Sequence, residues 1–290
     1  MALNRATRYP GRFNAVTSES PQGSFINRTS PTAEDGSYFE ADWANDWDGF
    51  FARILNVAGA TPNGSLDTGL SSQMYDALIN YVPGRLINRT IFTSSGLFTP
   101  QSNTTLIIVE VQGAGGGGGS AVATDSGTMS AGSGGGAGGY ALGYLTTIPS
   151  SQSVVVGTGG SAASSGGLSS FGSIVGTGGN GGGNSGSSTV PDNTIRQFVG
   201  GAGAIGTGGS INLRGDNGGS TLLTTSGNLI GGAGGRSWFS STGIPPSGST
   251  GAGITGILGS GGTGAISSGG GAAQTGGSGG TGLVIVWEYS

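Results

Sequence analysis

Glycine divides this sequence in two. Nine of its 67 glycines precede residue 106, and the other 58 fall in the last 185 residues. Two strong strand signals bracket the glycine-rich region: Leu106-Ile107-Ile108-Val109-Glu110-Val111 and Leu283-Val284-Ile285-Val286-Trp287-Glu288-Tyr289. A flexible linker needs no closing strand, so the tract reads as the interior of a folded domain. Ordering its backbone costs about 1–2 kcal/mol per residue, with glycine at the upper end. Glycine offers no side chain to bury in return. Dense backbone hydrogen bonding, at about 1 kcal/mol net per bond, and burial against copies of the same chain are the available offsets.

Composition excludes several function classes. The ten cationic residues are all arginine, the formal charge is −4, and only 8% of residues are charged. No basic stripe suggests a nucleic-acid partner. With no cysteine and no histidine, disulfides, thiolate chemistry, the Ser-His-Asp triad and the common transition-metal cages are absent. The sequence therefore implies no cofactor and no metal site. The start, Met1 to Pro10, lacks an apolar signal region, and no stretch approaches the roughly 18 apolar residues of a membrane span. The expectation is a soluble protein made in a cytoplasm.

Residues 1–36 read as an extended arm for docking on another surface, given prolines at 10, 21 and 31 and arginines at 5, 8, 12 and 28. From Ser37 the period becomes helical. Phe39, Trp43, Trp47, Phe50 and Ile54 fall on one stripe, with Glu40, Asp42, Asp46 and Asp48 largely off it. Asp35-Gly36-Ser37 is the expected N-cap and Ala58-Gly59 the stop. A second helix is expected from about Ser71 to Val82, with Met74, Leu78 and Val82 on one face, Asp67 or Thr68 at its start and Pro83-Gly84 at its end. Two short helices cannot cover so aromatic a stripe, so residues 37–90 are expected to form a small helical domain completed by neighbouring chains, most simply a homotrimer.

After Thr90 the pattern turns to β. Residues 91–100 read as strand, turn and strand. Further strands are expected at Tyr140 to Thr147, Ser153 to Val156, Phe171 to Val175, Thr194 to Val199 and the closing 283–289. Between them lie glycine runs at 113–119, 132–139, 157–160, 176–183, 200–209, 215–219, 231–235, 259–264 and 276–282. Collagen fails on phase and proline content. Flexible linker fails for so many runs interleaved with strands. Stacked left-handed glycine helices of three residues per turn, the polyglycine II counterpart of polyproline II, suit some runs and β-loops the rest. The expected fold is mainly β with a small α-helical N-terminal region, residues 91–290 forming a glycine-rich distal domain of a fibrous trimer.

Three motifs carry little chemistry. Gly113-Ala114-Gly115-Gly116-Gly117-Gly118 matches G-x-G-x-x-G after a strand, but residues 119–127 break a helix rather than start one, and a dinucleotide site needs a helix there. Asp42 and Asp46 lie one helical turn apart; a glycosidase needs such a pair across a cleft, and opposite an aromatic stripe they read as a solvated face. Asn27-Arg28-Thr29 and Asn88-Arg89-Thr90 fit the glycosylation pattern without a signal peptide to give it meaning. Recognition remains. Arg236-Ser237-Trp238-Phe239 and the residues after them through Ile244 and Pro246, and secondarily Asn184 to Phe198 with Arg196 and Phe198, place aromatics and arginine on loops, the material of contact hot spots and sugar-stacking platforms. Plugging a small core is the competing role for Trp238 and Phe239.

The segments Thr7-Arg8-Tyr9-Pro10-Gly11-Arg12-Phe13, Asp35 to Trp47 and Thr61-Pro62-Asn63-Gly64-Ser65-Leu66-Asp67-Thr68 resemble the amino-terminal region of tailed-bacteriophage tail fibre proteins. Phe92 to Thr99, Val109 to Gly116, Ser170-Phe171-Gly172-Ser173 and Gly282 to Tyr289 resemble the glycine-rich domain at the distal end of such fibres. The layout is also similar to the adhesins that tip long fibres of T-even-like phages, from which it departs in having its own helical N-terminal region. The resemblance implies a virion component, synthesised in a bacterial host, that joins the tail or baseplate and binds a host surface glycan or outer-membrane protein without catalysis. A purely structural baseplate connector is the alternative, and a depolymerase comes third. An ice-binding protein, which could also use glycine helices, leaves the N-terminal motifs without a role.

Overall fold

The structure is a computed structural model that describes residues 4–37, 39, 41–81, 84–189, 196–223 and 229–290. The sequence expectations on Glu40, Val82, Pro83 and residues 190–195 lie outside those residues. Two compact units result, Met1–Pro83 and Gly84–Ser290. The chain is mainly β, with few helices.

In the first unit the helices run over Ala41–Val57 and Gln73–Tyr81. Gly59, at φ +65°, ends the first, and the N–H of Ala60 reaches back to the carbonyl of Leu55 at 2.9 Å, the αL stop that glycine permits. Asp67 caps the second by accepting from the N–H groups of Gln73 and Met74 and from the Ser72 hydroxyl. The expected cap of the first helix is not formed. Asp35 instead accepts from the N–H and hydroxyl of Thr29, and Ser37 bonds Ile26 and Arg12. Both side chains are spent on earlier parts of the arm, Asp35 six residues back and Ser37 on partners 11 and 25 residues back.

The arm is also not simply extended. Arg5–Arg8 forms a single helical turn capped by Asn4, and Phe13 bridges Phe25 across the chain's return. Arg5 is buried, with its guanidinium over the rings of Phe13 and Phe25 and a hydrogen bond to the Gly23 carbonyl. Cation–π contact and burial of the aliphatic stem fold the arm on itself. Phe25 then meets Phe39 and Trp43.

The second unit begins at Gly84, so the helical region ends earlier than residue 90. The reason is Leu86–Phe92, which pairs antiparallel with the closing strand Leu283–Tyr289. That strand pairs on its other side with Leu106–Gln112, which pairs with Tyr140–Leu145, and Ile211–Leu213 completes the five-stranded sheet. A second sheet runs Gly206–Thr207, Ile174–Gly176, Ser169–Phe171, Gln152–Val155 and Gly96–Phe98. The expected strand Phe171 to Val175 is in fact a hairpin, turned at Gly172 with φ +59°. Alternate residues Ile107, Val109 and Val111 with Val284 and Val286 are buried against Phe98, Val154, Phe171 and Ile174. This period-two burial is the apolar core the sequence allows. At its edge the fully buried Glu288 accepts from Asn88, Gln101 and Thr104.

Beyond the sheets the glycine runs shuttle away and back. Residues 113–119 show how they are held. Gly113, Gly116 and Gly119 donate to Gly139, Gly136 and Ser133 at 2.8–2.9 Å. Ala114 and Gly117 donate to Gly167 and Ser164, and Gly115 and Gly118 to Gly280 and Gly277. Their carbonyls in turn accept from Gly160 and Ala163, from Gly179 and Gly182, and from Gly262 and Ala265. Every third residue thus addresses the same neighbour, and six segments surround this one. Residues 132–139 are held in the same way, by 113–119, 177–183, 201–204, 216–219, 232–235 and 259–265. A Cβ on Gly117 would overlap the Ser161 carbonyl, and one on Gly135 the Gly116 carbonyl. Backbone packed this closely admits only glycine at such positions.

Candidate functional site

The segment after the run 231–235 turns sharply at Ser237. Its N–H donates to the Ser240 carbonyl at 2.9 Å, and its hydroxyl donates to the Leu258 carbonyl at 2.7 Å. The N–H of Asp216 donates to the Arg236 carbonyl at 3.1 Å. Trp238 N–H donates to Oε1 of the fully buried Gln112, whose Nε2 is held by the Gly138 carbonyl at 2.9 Å. The backbone of this loop is therefore fixed while its side chains project.

Trp238 is 62% exposed, and its ring lies nearly parallel to that of Tyr140, centroids 5.1 Å apart. Phe239 is half-buried and meets the same ring edge-on at 5.9 Å. Tyr140 is buried, and its hydroxyl donates to Glu110, which also accepts from the Trp287 indole at 3.0 Å. Burial first, and then the bond to Glu110, pushes the Tyr140 phenol well above its ordinary pKa. The Arg89 guanidinium covers Trp287. One face of Trp238 is thus backed by a locked ring and the other is open, the geometry of an aromatic platform.

Beside this platform a cleft of about 360 Å³ is lined by Tyr140, Leu213, Arg214, Asp216, Arg236 and Trp238 among others. Tyr140, Arg214 and Asp216 carry no sequence signal for such a place. They arrive through the pairing of Leu213 with Tyr140 across two distant strands, which leaves no local trace. Arg236 and Trp238 line the cleft, and Phe239 packs on Tyr140 beside it. Ile244 is 87% exposed but lies farther along the loop and does not line the cleft.

Arg196 and Phe198 belong elsewhere. Their strand, Arg196–Phe198, pairs with Thr221–Leu223, and Phe198 packs against Met129, Ala131, Leu223, Leu229 and Ile266. Arg196 is exposed and donates to the Ser188 hydroxyl at 3.2 Å. These residues cluster at the Gly119 and Ser133 ends of the runs, whereas Trp238 sits at the Gly113 and Gly139 ends.

Of the helical stripe, Phe39 is 73% and Phe50 45% exposed, Trp43 and Trp47 are half-buried, and Ile54 is buried with Leu55 and Ala77. The chain therefore covers part of a stripe expected to stand uncovered. The indole N–H groups of Trp43 and Trp47 are shielded without a hydrogen-bond partner among the described residues. Asp42 is bonded by the Arg8 guanidinium, with Nε at 2.9 Å, which gives that carboxylate a structural partner. Neighbouring Arg12 and Arg28 line a groove of about 720 Å³ in the same unit, where Arg12 donates to the Glu34 carbonyl. Among the described residues no group of acidic side chains has the arrangement of a metal site, and no helix is long and apolar enough to cross a membrane. No known family model and no curated protein matches the chain.

Proposed function

We propose that the chain is a bacteriophage tail fibre protein, a virion component whose first unit joins the tail or baseplate and whose glycine-rich unit binds a glycan or outer-membrane protein on the host surface. The observation that carries this reading is the Trp238 platform: an exposed aromatic beside Arg236, on a loop fixed by backbone bonds. Binding energy in recognition sites concentrates in such anchors. The hydrogen bonds that repeat every third residue support a further reading, in which the runs are stacked polyglycine II helices. Such a stack is stabilised by backbone alone, so loops at its margins are free to vary for recognition.

The same proposal takes the protein to be a homotrimer without catalytic activity. The exposed Phe39 and Phe50 and the indoles of Trp43 and Trp47, unpartnered among the described residues, support association through the helical stripe. The test is adsorption of labelled full-chain protein to a panel of bacterial strains. Saturable binding to some strains, blocked by excess unlabelled protein, is expected. Absence of binding to every strain that the virion itself adsorbs to contradicts the receptor role and leaves the connector reading.

A further inference from the structure

We propose that the cleft beside Trp238 takes an anionic sugar residue, its carboxylate or phosphate held by Arg214 and Arg236 and its apolar face laid on the Trp238 ring. This names the ligand class of the receptor site and rests on the receptor-binding reading.

Shape comes first. The cleft, at about 360 Å³, falls at the small end of ligand pockets, suited to a sugar unit or two rather than to a protein surface. The Trp238 ring is open on one side and backed by Tyr140 on the other. A pyranose presents a face of C–H groups that packs on such a ring, as amphipathic aromatics favour.

Charge comes second. Two arginines and one aspartate line the cleft in a chain whose formal charge is −4. Arg214 uses Nη1 on the Gly203 carbonyl at 2.8 Å, which anchors the side chain while a guanidinium carries further N–H donors to offer a ligand. The Arg236 side chain is exposed and makes no ion pair with Asp216, although the backbones of the two residues are hydrogen-bonded at 3.1 Å. Guanidinium forks match carboxylate and phosphate oxygens bidentately. Asp216 is then the acceptor for sugar hydroxyls. Because its guanidinium groups are solvated, the site gains orientation and selectivity from charge and its contact area from Trp238.

The test uses the full chain in saturation-transfer NMR with three probes: an oligogalacturonate, glucose 6-phosphate and a neutral dextran oligosaccharide. Binding of the oligogalacturonate, the phosphate or both, at least fivefold tighter than of the neutral probe and weakened by salt, is the expected result. Two single variants, Arg236→Ala and Trp238→Ala, should each weaken it about tenfold with unchanged melting, and Arg236→Lys should restore part of the loss. Equal binding of neutral and anionic probes, no binding of either anionic probe, or unchanged binding by Arg236→Ala overturns the proposal. Cell adsorption by the same preparation separates the two levels. Adsorption that depends on Trp238 without affinity for the anionic probes removes the ligand class and keeps the receptor reading; probe binding without adsorption to any host strain does the reverse.

Discussion

The hydroxyl of Tyr140 donates to Oε2 of Glu110 across 2.9 Å, and this bond fixes the ring on which Trp238 rests. Burial and Glu110 together hold the phenol protonated far above its ordinary range. An unfolded tyrosine ionises near pH 10. Above that pH the unfolded chain has lost a proton that the folded chain keeps, so stability falls as pH rises. Denaturation midpoints should therefore drop as pH rises past about 10, and Tyr140→Phe should flatten that slope while costing about 1 kcal/mol at about pH 8 through the lost hydrogen bond. Identical slopes in both proteins would contradict the assignment.

The glycine lattice makes a sharper contrast. Gly117→Ala or Gly135→Ala drives a methyl group into a carbonyl oxygen of the neighbouring segment and should destabilise the second unit by about 2 kcal/mol or more. Gly186→Ala, in an exposed loop with nothing near the added carbon, should stay within about 0.5 kcal/mol. Thermal melting of the three variants reads the difference directly. Equal tolerance would mean the runs are not packed backbone to backbone.

Much of this fold is legible because strands built into an apolar core leave a local trace in composition. Leu106–Gln112, Tyr140–Leu145 and Leu283–Tyr289 stand where short runs rich in apolar, β-branched and aromatic residues place strands. Short strands such as Ile211–Leu213 and Met129–Ala131 leave none, since their pairing is decided by partners far along the chain. The site divides in the same way. Arg236, Trp238 and Phe239 announce themselves as an aromatic and cationic island among glycines, whereas Tyr140, Arg214 and Asp216 join them only through register. Asp35 misleads for a physical reason: the carboxylate that can cap a helix can equally bond another segment, and here Thr29 takes it.

Assembly is testable through the helical stripe. With Phe39 and Phe50 still exposed in one chain, sedimentation at micromolar concentration should give a trimer. Replacing both by serine should shift it toward monomer while leaving the second unit's melting unchanged. A monomeric wild type with native tryptophan fluorescence would contradict assembly through this stripe.

The receptor role itself is tested most directly by adsorption of a triple variant, Arg236→Ala, Trp238→Ala and Phe239→Ala, to a strain that the wild type binds. The platform account predicts that adsorption falls at least a hundredfold while oligomeric state is kept and melting shifts little, because the loop's backbone is held by Gln112, Leu258 and Asp216 rather than by these side chains. A folded triple variant that adsorbs as well as the wild type would contradict it.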